Sequence, residues 1–125
     1  MSIFKDIAVQ LTTLSPIMDG REKTTIEHIR TAYPDGVTII LCDMVHTQED
    51  GKELEYPILV CAEEQDKFFF GGLVMRKIID GWTEHFGSLD ALNSALVAEG
   101  GVVCKFGTQK TKDGKRNVTT VEVVS

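Results

Sequence analysis

At 125 residues the chain has the length of one domain and is too short for two. Its 42% hydrophobic and 26% charged residues exclude a disordered chain. No apolar run reaches the roughly 18–20 residues of a membrane-spanning helix. A net charge of −6 excludes a protein that holds nucleic acid by bulk charge alone.

MSIFKDIAVQLTTLSP has Asp6 near its start and no small-residue cleavage site, so it does not read as a secretory signal. A cytoplasmic domain with no membrane partner is expected. Ile3, Phe4, Ile7 and Leu11 lie on one face of a short helix over 2–12. Ser15, Pro16, Asp19 and Gly20 mark a loop. Thr24 with Glu27 makes a capping box that starts a helix of about two turns, with Ile26, Ile29 and Tyr33 as its apolar stripe. Pro34-Asp35-Gly36 is a turn. Residues 1–36 thus read as a helical extension packed on the remainder of the chain, the whole being one domain over 1–125.

From Val37 the period changes to two. VTIILCDMVH has apolar residues at both parities, as a strand covered on both faces does. Asp50-Gly51 signals a hairpin. ELEYPILVCA is the second strand, with Leu54, Tyr56, Ile58 and Val60 on one face. Pro57 lacks an N–H, which predicts an edge or a bulge. KFFF is a short third strand ending at Gly71-Gly72. Met75, Ile78, Ile79, Trp82 and Phe86 then take helical spacing, and Gly87 and Ser88 punctuate before a second helix with Leu89, Leu92 and Leu96 inward. VVCKFG and NVTTVEVV are the fourth and fifth strands, around a turn at Asp113-Gly114.

The expected fold is mostly β with α: a five-stranded OB-fold-like barrel with a helical pair between strands three and four and short N-terminal helices. A five-stranded half-sandwich capped by a helix has the same order of elements. The stretch YPILVCAEEQDKFFFGG, the helix holding Trp82 and the hairpin VVCKFGTQKTKDGKRNVTTVEVV resemble small OB-fold single-stranded-DNA-binding proteins of phages and mobile elements. The resemblance lies in element order over residues 37–125. It implies a single DNA strand held along the barrel face between the first and last hairpin loops. Two features depart from it. Gln48-Glu49-Asp50 is acidic where the rim should be basic, and VEVVS lacks an acidic tail.

Charge is divided along the chain. Residues 1–100 hold 8 basic and 17 acidic side chains, net −9, whereas residues 101–125 hold 5 and 2, net +3. The acidic side chains concentrate over 43–66, so an anion would approach the C-terminal hairpin. Single-strand binding needs flat rings for bases and cations for phosphates. Phe68, Phe70 and Phe106 are the candidate rings, with Tyr56 able to join them. Lys105, Lys110, Lys112, Lys115 and Arg116 are the candidate cations. The same residues also read as core rings and a solubilising loop. Trp82 reads as core.

Cys42, Cys61 and Cys104 sit in apolar runs far apart, as buried free thiols do, and no metal or cofactor is expected. His28, His46 and His85 have no partner at catalytic or metal-binding spacing, so the chain reads as no enzyme. Two functions remain: single-stranded nucleic-acid binding, and a protein-interaction or structural module on the same fold. For the second, a homo-oligomer that buries an exposed apolar face is the expected sign.

Overall fold

A computed structural model describes residues 16–49 and 51–124; the helix expected over 2–12 and Asp50 of the expected hairpin lie outside them. The described elements run β1 (Glu22–Lys23), α1 (Ile26–Ala32), β2 (Val37–Glu49), β3 (Lys52–Cys61), β4 (Lys67–Phe70), α2 (Gly72–Phe86), α3 (Leu89–Glu99), β5 (Val102–Lys110) and β6 (Asn117–Val123). They form a six-stranded sheet in the order β1-β4-β3-β2-β5-β6. β1 and β4 run parallel and every other neighbouring pair is antiparallel. The five longer strands and the helical pair between β4 and β5 match the sequence expectation. β1 does not, because two residues carry no periodicity to read.

The sheet is strongly curled. Phe69 on β4 and Phe106 on β5 meet edge to face with ring centroids 5.7 Å apart, although β3 and β2 lie between their strands. In a flat sheet three strand spacings would hold them roughly 14 Å apart. The concave side therefore wraps one core of Ile29, Ile39, Leu59, Phe69, Met75, Ile79, Leu92, Leu96 and Phe106, with the three cysteines among them. Val45, Ile58 and Val60 are buried at the other parity. β3 is thus covered on both faces.

The expected five-stranded closed barrel does not form. β6 ends the sheet on one side. On the other, the outer edge of β4 is occupied by β1, through Glu22 N–H to Asp66 O (3.0 Å) and Thr24 N–H to Phe68 O (2.8 Å). Those bonds take the groups β4 would need to pair with β6.

The bond from Thr24 also moves the start of α1. Thr24 remains in the ladder, so Thr25 is the cap, its hydroxyl accepting from His28 N–H (3.1 Å). The expected capping box of Thr24 and Glu27 does not form. Ser88 caps α3 as expected, accepting from Ala91 N–H (3.1 Å). Pro57 sits on a central strand opposite Met44, without the expected edge or bulge. Its carbonyl accepts from Gly71 N–H (3.0 Å), so its nitrogen points past the end of β4, whose last pair is Ile58 with Phe70. The missing donor thus falls just beyond the last pair of the β3–β4 ladder and costs none of its bonds. The one register shift in β2 lies between Ile39 and Leu41.

Candidate nucleic-acid interface

Strand alternation divides the three phenylalanines of β4. Phe69 faces the core, while Phe68 and Phe70 share the other face, 6.2 Å apart and edge to face. Tyr56 on β3 meets Phe70 edge to face at 6.3 Å. Phe68 is 9% exposed and lies beneath, Phe70 is half-buried, and Tyr56 is 38% exposed. The accessible rings are thus Tyr56 and Phe70. The Lys23 ammonium stands 5.1 Å from the Phe70 ring centroid, within cation–π range. A shallow pocket of about 200 Å³ opens beside them, lined by Lys23, Thr24, Thr25, Ile26, Phe70 and one acid, Glu27. Sequence reading missed Lys23, because only the pairing of β1 with β4 brings it to the ring.

Phe106 is not available for stacking. It is 4% exposed and belongs to the core against Phe69. Phe68 is likewise mostly covered. Both positions read as candidates because period two assigns parity but not which parity the rest of the chain covers.

The five cations are all exposed on the β5–β6 hairpin. Lys105 lies opposite Glu122 and Lys110 opposite Asn117. Lys112, Lys115 and Arg116 are in the turn. None of the five makes an ion pair or side-chain hydrogen bond among the described residues. Asp113, the one acid in the turn, is already engaged. It accepts from Thr111 Oγ1 and from Lys115 N–H (3.0 Å), and these bonds hold its carboxyl below the ordinary value of 3.8. Thr111 N–H to Arg116 O (2.9 Å) closes the loop. The turn is therefore built, with its cations pointing into solvent.

The ring cluster and the hairpin are close. A Cβ placed on Gly72, two residues after Phe70, would lie 3.7 Å from the Thr119 Cβ on β6. Thr119 is two residues from Asn117, the partner of Lys110. Summed along that path by strand rise, Phe70 and the base of the basic turn are at most roughly 20 Å apart, a span of a few nucleotides. Compared with family models, curated proteins and solved structures, the chain matches none.

Two of the three histidines pair with carboxylates, and His85 meets only the Phe86 ring, edge to face at 4.9 Å, among the described residues. His28 Nε2 is 2.9 Å from Glu64, which also lies 3.9 Å from Lys67 Nζ. His46 is 3.5 Å from Glu55, its cross-strand partner. All three thiols are free and buried; desolvation pushes Cys42 up to about 12 and Cys104 to about 11, and raises Cys61. No group of three His, Cys, Asp or Glu suited to a metal occurs among the described residues, and none of their helices is long and apolar enough to cross a membrane.

Proposed function

We propose that this protein binds single-stranded nucleic acid, DNA foremost, without catalysis, on a half-barrel of OB type. The observation that carries the reading is five unpaired, exposed cations on one hairpin of an otherwise acidic chain. OB-folds bind oligonucleotides on the face of their second and third strands and between their first and last hairpin loops. The second and third long strands here are β3 and β4, which carry Tyr56 and Phe70. The last hairpin carries Lys110, Lys112, Lys115 and Arg116. Bases would stack on the two rings, at about 1–3 kcal/mol each, and phosphates would track Lys23 and the hairpin. The curl that brings Phe69 to Phe106 supports the barrel-like assignment.

The test is fluorescence anisotropy of a labelled oligo-dT of about 20–30 nucleotides, at low and rising salt, beside a duplex of equal length. Single-strand binding that weakens steeply with salt is expected. Absence of binding at low salt, or equal affinity for the duplex, overturns the proposal.

One observation favours the second reading, a protein-interaction module. An apolar groove of about 410 Å³ runs between α2, α3 and the ends of β5 and β6, lined by Trp82, Phe86, Leu92, Leu96, Val102 and Val123. Trp82, expected in the core, packs against it and also forms the wall of this groove.

A further inference from the structure

We infer that β6 is a pairing edge for a second copy of this chain, joined antiparallel about Val121. β6 ends the sheet and pairs only with β5 among the described residues. The bonds from Val124 N–H to Val103 O (2.8 Å) and from Thr111 N–H to Arg116 O (2.9 Å) fix its phase. Even-numbered residues turn their main-chain groups to β5, and Asn117, Thr119, Val121 and Val123 turn theirs outward. None of these four has another hydrogen-bond partner among the described residues. α2 meets β6 from the core side, through side chains such as Thr119, and Val121 packs against the core.

Edge strands are normally blunted by charged side chains, Pro or a bulge. β6 has no Lys, Pro or bulge and a single charge, Glu122; its sequence is Asn-Val-Thr-Thr-Val-Glu-Val and its ladder with β5 is regular. The strand and the residue after it also expose apolar surface on the outer face, with Val118 at 46% and Val124 at 54%. These two valines lie equally far from Val121 along the chain. Antiparallel pairing about Val121 therefore sets each Val118 against Val124 of the second copy. The same register sets Thr119 against Val123 and gives about six main-chain hydrogen bonds. Glu122 falls opposite Thr120 of the second copy, so like charges do not meet, and it keeps Lys105 opposite it within its own chain. Centring the pairing on Glu122 would oppose the two glutamates. Centring it on Thr120 would set Val118 against Glu122. The register about Val121 is the one that covers Val118 and Val124 with each other. It is an isologous, closed contact, and it sends the two basic hairpins to opposite ends of one continuous sheet.

The experiment is light-scattering mass on the full chain at about 100 μM, where a contact with a Kd near 10 μM is mostly formed. Twice 13.8 kDa is expected. Val118→Lys with Val124→Lys sets like charges opposite each other at two exposed positions, and Val123→Pro removes an outward N–H that the single chain does not use. Both are expected to give 13.8 kDa with an unchanged far-UV spectrum. Val118→Cys with Val124→Cys is expected to link chains covalently on oxidation, because this register makes them a close, non-hydrogen-bonded pair. A wild-type mass of 13.8 kDa at that concentration overturns the inference. So does a dimer unaffected by the lysine pair, or the absence of linkage in the cysteine pair.

Discussion

The Asn93 carboxamide pairs with the Cys42 peptide in both directions: Cys42 N–H donates to Asn93 Oδ1 and Asn93 Nδ2 donates to Cys42 O, each at 2.9 Å. β5 pairs with β2 only as far as Val102 with Ile39, so the main-chain groups of Cys42 on that side have no strand beside them. A side chain from α3 takes the place of the missing strand. Its second N–H holds Leu89 O at 3.1 Å, which fixes the amide to its own helix. Asn93→Ala strands a buried donor and acceptor and is expected to lower stability by about 1–3 kcal/mol. Urea unfolding of the two proteins measures it. A change below about 0.5 kcal/mol would mean that water replaces the amide without loss.

The two parities of β4 separate stability from binding. Phe69→Ala empties a core position and is expected to cost about 3–5 kcal/mol. Tyr56→Ala with Phe70→Ala touches partly exposed rings, so the melting temperature should fall much less while oligo-dT affinity drops at least tenfold, about 1.4 kcal/mol. Loss of stability without loss of affinity would place the strand elsewhere on the surface.

Much of this fold is legible in the sequence, and the failures have physical causes. β-Branched runs and the Asp113-Gly114 turn delimit the strands, and helical spacing from Met75 to Phe86 delimits α2, because periodicity records which face is buried. β1 is two residues long and has no period. Thr24 and Thr25 are chemically equivalent caps, and only a long-range bond to Phe68 O selects between them. The site divides the same way. The hairpin cations stand out because charge along a chain is local information. Phe106 misleads, since a strand shows its alternation but not which side the helices will cover. Lys23 at Phe70 is a contact across 47 residues and has no local signature.

If the hairpin contacts phosphates, its lysines set the salt dependence. Each phosphate contact to a single strand contributes about −0.7 to the slope of log K against log salt. Lys112→Ala with Lys115→Ala should reduce the slope by about 1.4 and weaken binding equally for dT and dA oligomers. An unchanged slope would remove both lysines from the interface.

The hairpin turn should respond to acid through Asp113. Its folded pKa lies below 3.8, held there by the Thr111 hydroxyl and the Lys115 amide. A depressed carboxyl stabilises the turn above its unfolded value, and that contribution is lost as pH falls through the folded value. The Lys115 amide proton, tracked by NMR, is expected to titrate with a midpoint under 3.8. A midpoint at or above it would mean that the bonds are not made in solution. Asp113→Asn should abolish the transition.

Thiol chemistry reports opening. With Cys42 near 12 and Cys104 near 11, both are protonated and shielded at neutral pH. An aromatic disulfide reagent at pH 8 is expected to leave them unmodified in the native protein and to modify both once urea unfolds it. Rapid native labelling would contradict their burial.

The short β2–β5 ladder bears on how the molecule comes apart. Only Val37, Thr38 and Ile39 pair with β5, whereas the β2–β3 and β5–β6 ladders are each far longer. The sheet is thus a four-stranded part, β1-β4-β3-β2, and the β5–β6 hairpin, hinged at three residue pairs, each able to keep its own main-chain bonds while the other opens. Amide exchange should resolve two cooperative units. The hairpin that carries the cations would be the one to exchange first, detaching from the rest as the ring contact between Phe69 and Phe106 breaks.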